Sequence, residues 1–254
     1  MLAEERRAIL LQKLRENGYI EVAEVAGPLE VSPATIRRDL THLERGGQLI
    51  RTRGGAVLGM PSTALEPPYE LKRQRNIEQK RRIAAAAAEM VRDGETIILD
   101  AGSTTYELAL LLMRRRNLTV VTNDLQIAAK LAANPNIALV CTGGIARANV
   151  YTLLGPQVEA FLRNLRVNKT FLGADAIHED GVIGNVVLEE VAVKQAMVHA
   201  GEQVIVLADS SKFGVIGFAK VCDLAEVDIL ITDTGVPDHI LSMLKAWPVQ
   251  VKLV

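Results

Sequence analysis

Two groups of residues in this 254-residue chain have types and spacings that could do chemistry. The first is Ser32-Pro33-Ala34-Thr35-Ile36-Arg37-Arg38-Asp39-Leu40, with Thr41 behind it. Ser32 suits a helix N-cap, because its hydroxyl can accept from an otherwise orphaned amide, and Pro33 loses nothing at the first helical position. Ile36, Leu40 and Leu43 recur at helical spacing and should face a core, leaving Ala34, Thr35, Arg37, Arg38 and Thr41 on or beside the opposite face. That face suits the major groove of double-stranded DNA. Arginine donates twice to guanine or binds phosphate, and Thr35 can reach a base edge or a thymine methyl. Arg51 and Arg53 lie in an alternating stretch closed by Gly54-Gly55, which predicts a small hairpin wing touching backbone or minor groove.

The second group is a set of polar runs, each placed after an apolar, strand-like run. They are Asp100-Ala101-Gly102-Ser103-Thr104-Thr105, Thr122-Asn123-Asp124, Thr142-Gly143-Gly144, Gly173-Ala174-Asp175 and Ala208-Asp209-Ser210-Ser211-Lys212. In an open parallel sheet the strand ends share one rim, where ligands bind beside helix N-termini. Gly102, Ser103, Thr104 and Thr105 offer amides and hydroxyls for a phosphate or carboxylate. Lys212 supplies positive charge, while Asn123, Asp124 and Asp175 can hydrogen-bond sugar hydroxyls, so the mixture fits a phosphorylated sugar. Taken singly, any of these runs serves equally well as a helix cap. The chain has neither a lysine in P-loop position nor a G-x-G-x-x-G run, which argues against nucleotide hydrolysis and dinucleotide binding; no cofactor is expected.

These residues need elements to position them. A first helix has Ile9, Leu10 and Leu14 on one stripe, with Glu5, Arg6, Gln12 and Arg15 left to solvent, and ends near Asn17-Gly18. A second begins near Glu21 and carries Val22, Val25, Ala26 and Leu29, but Gly27-Pro28 interrupts its last turn because Pro28 cannot donate to the Glu24 carbonyl. Prolines between 61 and 68 predict a linker, and the alternating charges from Glu70 to Arg82 predict a solvated connecting helix. Strands at 96–99, 118–121, 137–140, 169–172, 204–207 and 228–231 should alternate with helices at 106–114, 125–133, 156–165, 188–200 and 238–246. The expected architecture is therefore α/β: a winged helix-turn-helix over 1–58, a linker and charged helix over 59–82, and a mostly parallel α/β domain over 83–254.

Composition narrows the function classes. A net charge of −1 excludes a general polyanion coat, so any nucleic-acid site must be a local patch. Charges at Glu4, Glu5, Arg6 and Arg7 fall where a secretory signal stays apolar, and the alanine-rich run 84–88 is too short to span a bilayer. A cytoplasmic protein without membrane association is expected. Cys141 and Cys222 have no metal-ligand spacing to each other or to His42, His178, His199 and His239, so they read as small buried thiols and no metal site is expected.

Val31-Ser32 through Arg37-Arg38-Asp39-Leu40, followed by Leu43-Glu44, Gly47, Leu49, Arg51 and Gly54-Gly55-Ala56, resembles the signature of the DeoR family of bacterial repressors. Arg53 departs from it, standing where that family usually has histidine. The resemblance continues through Asp100–Thr105, Thr122-Asn123, Gly143-Gly144, Phe171 to Asp175, Glu190 with Lys194, and Asp209 to Gly214. It implies a sensor domain similar in fold to ribose-5-phosphate isomerase, operator DNA as partner and a phosphorylated sugar as effector. It further implies repression of a carbohydrate-metabolism operon, relieved by that effector, by a homodimer or homotetramer that is not an enzyme. The alternative is a sugar-phosphate isomerase with Asp175, Glu190 or Lys194 in acid-base roles, against which the N-terminal module tells.

Overall fold

A computed structural model describes residues 2–17, 19–45, 49–52, 54–58, 69–147 and 150–254. By contacts the chain divides into two units, Met1–Pro68 and Tyr69–Val254.

The first unit runs α1 (Ala3–Asn17), β1 (Tyr19–Glu21), α2 (Val22–Ala26), α3 (Pro33–Arg45), β2 (Leu49–Arg51) and β3 (Gly55–Leu58). Leu10 and Leu14 of α1, Val22 and Val25 of α2, and Ile36, Leu40 and Leu43 of α3 close one apolar core with Leu49 and Ala56. The predicted hairpin is β2 with β3, and β1 adds a third strand on the far side of β3, in the order β1-β3-β2. At Gly55 the ladder leaves no room for a side chain, since a Cβ there would lie 1.8 Å from the Ile20 carbonyl oxygen. Helix α2 stops at Ala26, directly before Gly27-Pro28, and the chain turns back through Leu29 N–H to Val25 O (3.2 Å) and Val31 N–H to Ala26 O (3.1 Å). One expectation fails here: Arg6 is not wet but 8% exposed, because a buried carboxylate on α3 draws it inward.

The second unit opens with α4 (Tyr69–Gln74) and α5 (Ile77–Ala88), then β4 (Thr96–Leu99), α6 (Ser103–Leu112), β5 (Leu118–Thr122), α7 (Leu125–Leu131) and β6 (Ile137–Cys141). A short pair, β7 (Ile145–Ala146) and β8 (Leu153–Leu154), precedes α8 (Pro156–Arg163), β9 (Val167–Gly173), β10 (Ala176–Ile177), β11 (Val182–Asn185) and α9 (Leu188–Ala200). The chain closes with β12 (Gly201–Leu207), β13 (Ala219–Asp223), β14 (Ile229–Thr232), α10 (Asp238–Leu244) and β15 (Gln250–Leu253).

Seven strands form one sheet in the order β15-β14-β12-β9-β4-β5-β6, every pair parallel. Alternate side chains enter opposite cores, as the two-residue period of a strand requires. Ile97, Leu99, Phe171 and Ile205 pack under α5, α6 and α7, whereas Ile98, Leu172, Val204 and Val206 pack under α8, α9 and α10. Ala84, Ala86 and Ala87 of the alanine-rich run belong to the first of these cores. From β4 the chain moves outward to β5 and β6; it then returns to β9, beside β4, and moves the other way through β12, β14 and β15. The switch point of the sheet is therefore the gap between β4 and β9.

The structure adds strands too short or too polar to register as apolar runs, namely β15 and the antiparallel set β10-β11-β13. The expected charged helix is two helices, α4 and α5, broken where Asn76 takes a left-handed φ of 53°. Nor is its charge run simply a solvated face, because Lys80 is 4% exposed. Of the two thiols Cys222 is buried as expected, but Cys141 is exposed, at the end of the edge strand β6, which no further strand covers among the described residues. Among the described residues no helix is long and apolar enough to cross a membrane, and no group of three or more His, Cys, Asp or Glu could hold a metal ion.

Candidate functional site

In the first unit the Ser32 Oγ accepts from the Thr35 amide at 3.2 Å and lies 3.0 Å from the Thr35 hydroxyl, so the start of α3 is capped as its sequence predicts. Ile36, Leu40 and Leu43 are buried, Ala34, Arg37 and Arg38 are exposed, and Thr35 and Thr41 are half-buried. The one acidic side chain between the arginines and the core, Asp39, is turned inward, where it accepts from Arg6 Nε at 2.5 Å and Arg7 Nε at 3.1 Å. Helix α1 thus grips α3 by a carboxylate and removes that charge from the cationic face. Thr41 donates to the Arg37 carbonyl at 2.8 Å and accepts from Arg51 Nη1 at 2.9 Å, and the Arg51 amide donates to Glu44 Oε1 at 3.0 Å. These bonds join the wing to the helix. Arg53 lies outside the described residues.

In the second unit the sequence-predicted polar runs all follow strands of the large sheet, at their C-terminal ends. At the switch point, Lys194 of α9 donates to Asp100 Oδ2 and, at 3.1 Å, to the Gly173 carbonyl, while the Gly173 amide donates to the same Asp100 oxygen at 3.0 Å. Burial alone would lower the Lys194 pKa, but Asp100, Glu190 and Asp175 hold it above the ordinary lysine value. Asp175 accepts from Lys72 Nζ at 3.0 Å and, more weakly, from the Val186 amide at 3.4 Å. Burial would raise this carboxyl, yet Lys72, Lys194 and Lys212 outweigh it and hold its pKa at about 2. Glu190 accepts from Arg147 Nη1 at 2.9 Å and from Asn185 Nδ2 at 3.0 Å. Beside them, Asp209 caps the turn Ser210–Lys212 through the Ser211 amide at 3.1 Å and accepts from Asn76 Nδ2 at 2.9 Å. The result is a crowd of cations around Asp175 and Asp209. Burial and then Lys72 lower the Lys212 pKa, and burial, with Lys212 and Lys72 adding to it, brings Lys80 down to about 8.

The loop before α6 is built from below. Asn123 Oδ1 accepts from the Ala101 amide at 3.0 Å, and Asp124 accepts from Gly102 at 3.2 Å, from Gln126 at 2.7 Å and from Ile127 at 3.0 Å. Burial raises the Asp124 carboxyl to about 6 against the pull of those amides. Both side chains are thus committed to backbone and shape the loop. Thr105 likewise turns its hydroxyl to the Gly102 carbonyl at 2.8 Å, Thr104 is buried and Ser103 is half-buried. The N-cap of α6 is Gly102, which has no side chain with which to cap it. Gly143 and Gly144 follow the edge strand β6, apart from the switch point; at Gly144, with φ 110°, a Cβ would meet the Leu154 carbonyl oxygen at 2.7 Å.

Sequence reasoning missed the contribution of α4 and α5. Tyr69, Lys72, Arg73, Asn76 and Lys80 recur at intervals of three and four, one face of a helical pattern, and that signal was present within the charge run. It also missed Asn185 and Arg147, which orient Glu190 and lie in segments with no motif.

Residues 6–61 match the family described as the DeoR-like helix-turn-helix domain, and residues 75–234 match the DeoR C terminal sensor domain. Among curated proteins, the chain is 30% identical to the glycerol-3-phosphate regulon repressor of Escherichia coli strain K12, over 96% of each chain. It is 35% identical to the HTH-type transcriptional regulator GolR of Listeria innocua, over 91% of each. Among solved structures it is similar to ribose 5-phosphate isomerase A from Methanocaldococcus jannaschii, with 20% identity and a TM-score of 0.41 over 54% of this chain and 55% of that one.

Proposed function

Since this chain belongs to the DeoR family of transcriptional regulators, we propose that it is a repressor of a carbohydrate-metabolism operon, released from operator DNA by a phosphorylated sugar bound at the strand-end crevice of its second unit. The observation that carries the DNA half is the exposure of Ala34, Arg37 and Arg38 on a helix capped at Ser32 and anchored from behind through Asp39. An anchored helix presents its arginines to the major groove in one orientation, which base readout needs. Thr35 and Thr41 flank that face, and Arg51 extends it toward the DNA backbone.

The effector half rests on the cations gathered at one rim. Lys212, Lys72 and Lys80 repel one another, so a dianionic phosphate near them offsets that repulsion. In this reading the backbone amides of Gly102, Ser103, Thr104 and Thr105 at the start of α6 take part in holding the phosphate. Asp100, Asp175, Glu190 and Lys194 line the sugar side, and Asn123, Asp124, Gly143 and Gly144 set the loop backbones. Release from DNA requires only that the effector favour a conformation in which paired DNA modules no longer match two half-sites, which makes the working species a homo-oligomer in the cytoplasm. In this reading no turnover is part of the function, because the chain pairs a DNA-binding module with a sensor domain and its relatives are named as regulators.

Fluorescence anisotropy on genomic fragments captured by the wild-type protein, with Arg38→Ala and Lys212→Met beside it, tests both halves. Arg38→Ala should lose DNA affinity by about tenfold or more and keep its effector response. Lys212→Met should keep DNA affinity and lose release by glycerol 3-phosphate, ribose 5-phosphate or a hexose 6-phosphate. Conversion of a pentose phosphate by the purified protein would overturn the reading in favour of an isomerase.

A further inference from the structure

Leu188, Val215, Ile216 and Phe218 stand in solvent, each between 40% and 69% exposed, and Val186 and Val187 beside Leu188 are half-buried. Backbone contacts hold these two stretches together. Asn185 pairs with Ala219 in the β11–β13 ladder, and the Gly214 amide donates to the Ile177 carbonyl at 2.9 Å. The loop between them lies so close to β11 that a Cβ at Gly217 would fall 2.6 Å from the Gly184 Cα. Leu188 follows Asn185 by three residues, a reach of about 10 Å at most. Neither stretch, 181–188 nor 213–219, carries a charged residue. The apolar side chains therefore form one neutral patch, and in a water-soluble domain a patch of this kind marks an interaction site.

We infer that this patch is the apolar centre of an interface between two copies of the chain related by a twofold axis. Its size fits that occupant. Four side chains this large, exposed to this extent, present on the order of 450 Å² of apolar surface. A stable interface takes about 800 Å² from each partner, of which about 56 to 65% is apolar, so the patch matches the apolar share that one copy must supply. Its charge fits as well. A twofold contact sets the patch against its own image, which a neutral surface meets without like-charge repulsion. The exposed charges that flank it are of both signs, Glu189 on the α9 side and Lys220 on the β13 side, and a twofold axis can pair them crosswise. A third argument rests on the proposed function, because a regulator that reads two half-sites needs its DNA modules paired. The interface adjoins the crevice: Asn185 donates to Glu190 and the Val186 amide to Asp175, so the stretch offered to the partner also holds two carboxylates of the proposed effector site.

Sedimentation equilibrium of the full-length chain, in the absence of DNA and sugar phosphate, tests the interface. Wild type should self-associate at micromolar concentration, and the double variant Ile216→Asp with Phe218→Asp should raise the dissociation constant of the pair by about thirtyfold or more, halving the mass. Both positions are exposed, so circular dichroism should show the fold intact; Ile216→Ser, a milder change expected to weaken pairing by about threefold to tenfold, decides the matter if the double variant does not fold. A wild type with the mass of one chain overturns the inference. Variants that self-associate with the wild-type constant overturn it too, and leave the oligomer of the proposed function to another surface. A single chain whose hydrodynamic radius grows on substitution would seat its own DNA-binding unit on the patch, again overturning it. Since neither DNA nor effector enters the measurement, a failure of the repressor reading is registered separately, by the anisotropy experiment.

Discussion

Lys194 bridges the two strands at which the sheet reverses its order, donating to Asp100 after β4 and to the Gly173 carbonyl at the end of β9. Both charged groups are buried, with side chains 7% and 2% exposed. A switch point is a cleft by construction, since the helices on either side of it diverge to opposite faces of the sheet. This ion pair joins the two strand ends and ties the loops that follow them to one spacing.

Lys194→Met should therefore cost stability as well as response. It leaves the Asp100 carboxylate buried without its counter-ion, a loss of about 3 to 5 kcal/mol. The double variant Lys194→Met with Asp100→Asn removes the unpaired charge and should recover much of that loss. Urea denaturation of all three proteins measures it; a double variant no more stable than the single one would show that the pair is not the source of the cost.

Asp39→Asn should destabilise the DNA-binding unit by about 3 kcal/mol, because the carboxylate is 2% exposed and satisfies two arginines of α1. Arg38→Ala, one position away but exposed, should change stability by less than about 0.5 kcal/mol. Melting of the isolated transition of this unit, followed by circular dichroism, separates a positioning role from a DNA contact.

Neighbouring glycines should respond in opposite ways. Gly54→Ala adds a Cβ into open space and should be tolerated, while Gly55→Ala drives its Cβ into the Ile20 carbonyl and must part β1 from β3. A loss of about 3 kcal/mol and a weakened wing are expected for Gly55→Ala alone. Equal melting of the two variants would contradict the close approach.

Lys80 gives a pH dependence with a defined sign. Burial lowers its pKa from 10.5 to about 8, so the folded protein disfavours the ammonium. That cost is fully present below about pH 8 and fades as pH rises through 8 toward 10.5, where the unfolded chain binds more protons than the folded one. Wild type should accordingly gain stability relative to Lys80→Met between pH 8 and 10, by an amount on the order of 2 to 3 kcal/mol. Chemical denaturation of both proteins at half-unit intervals measures the difference; a constant gap would place the ammonium in solvent.

Much of the scaffold was legible along the chain because its signals are local. The cap at Ser32, the interruption at Gly27-Pro28, the apolar run of β4 and the helix Leu188–Ala200 each depend on residues within a few positions of one another. The strand-end runs could be placed on one rim for the same reason, since each follows directly from its own strand. What escaped was short or long-range: β15, the small antiparallel sheet, and the second strand partner of β3 all owe their existence to a neighbour rather than to their own pattern.

The charge run from Glu70 to Arg82 shows where the division falls. Its sequence determined that Tyr69, Lys72 and Arg73 would stand at helical spacing, because spacing along a helix is a local property, while the break at Asn76 that follows them was not evident. Whether that face would meet water or the rim of a crevice was decided only when Asp175, Asp209 and Tyr151, far away along the chain, were brought beneath it. The same holds for Asp39, whose position on α3 was evident while its burial depended on arginines of α1. A charged side chain carries no mark of its burial, since the desolvation that burial imposes is offset only by partners that the tertiary structure supplies.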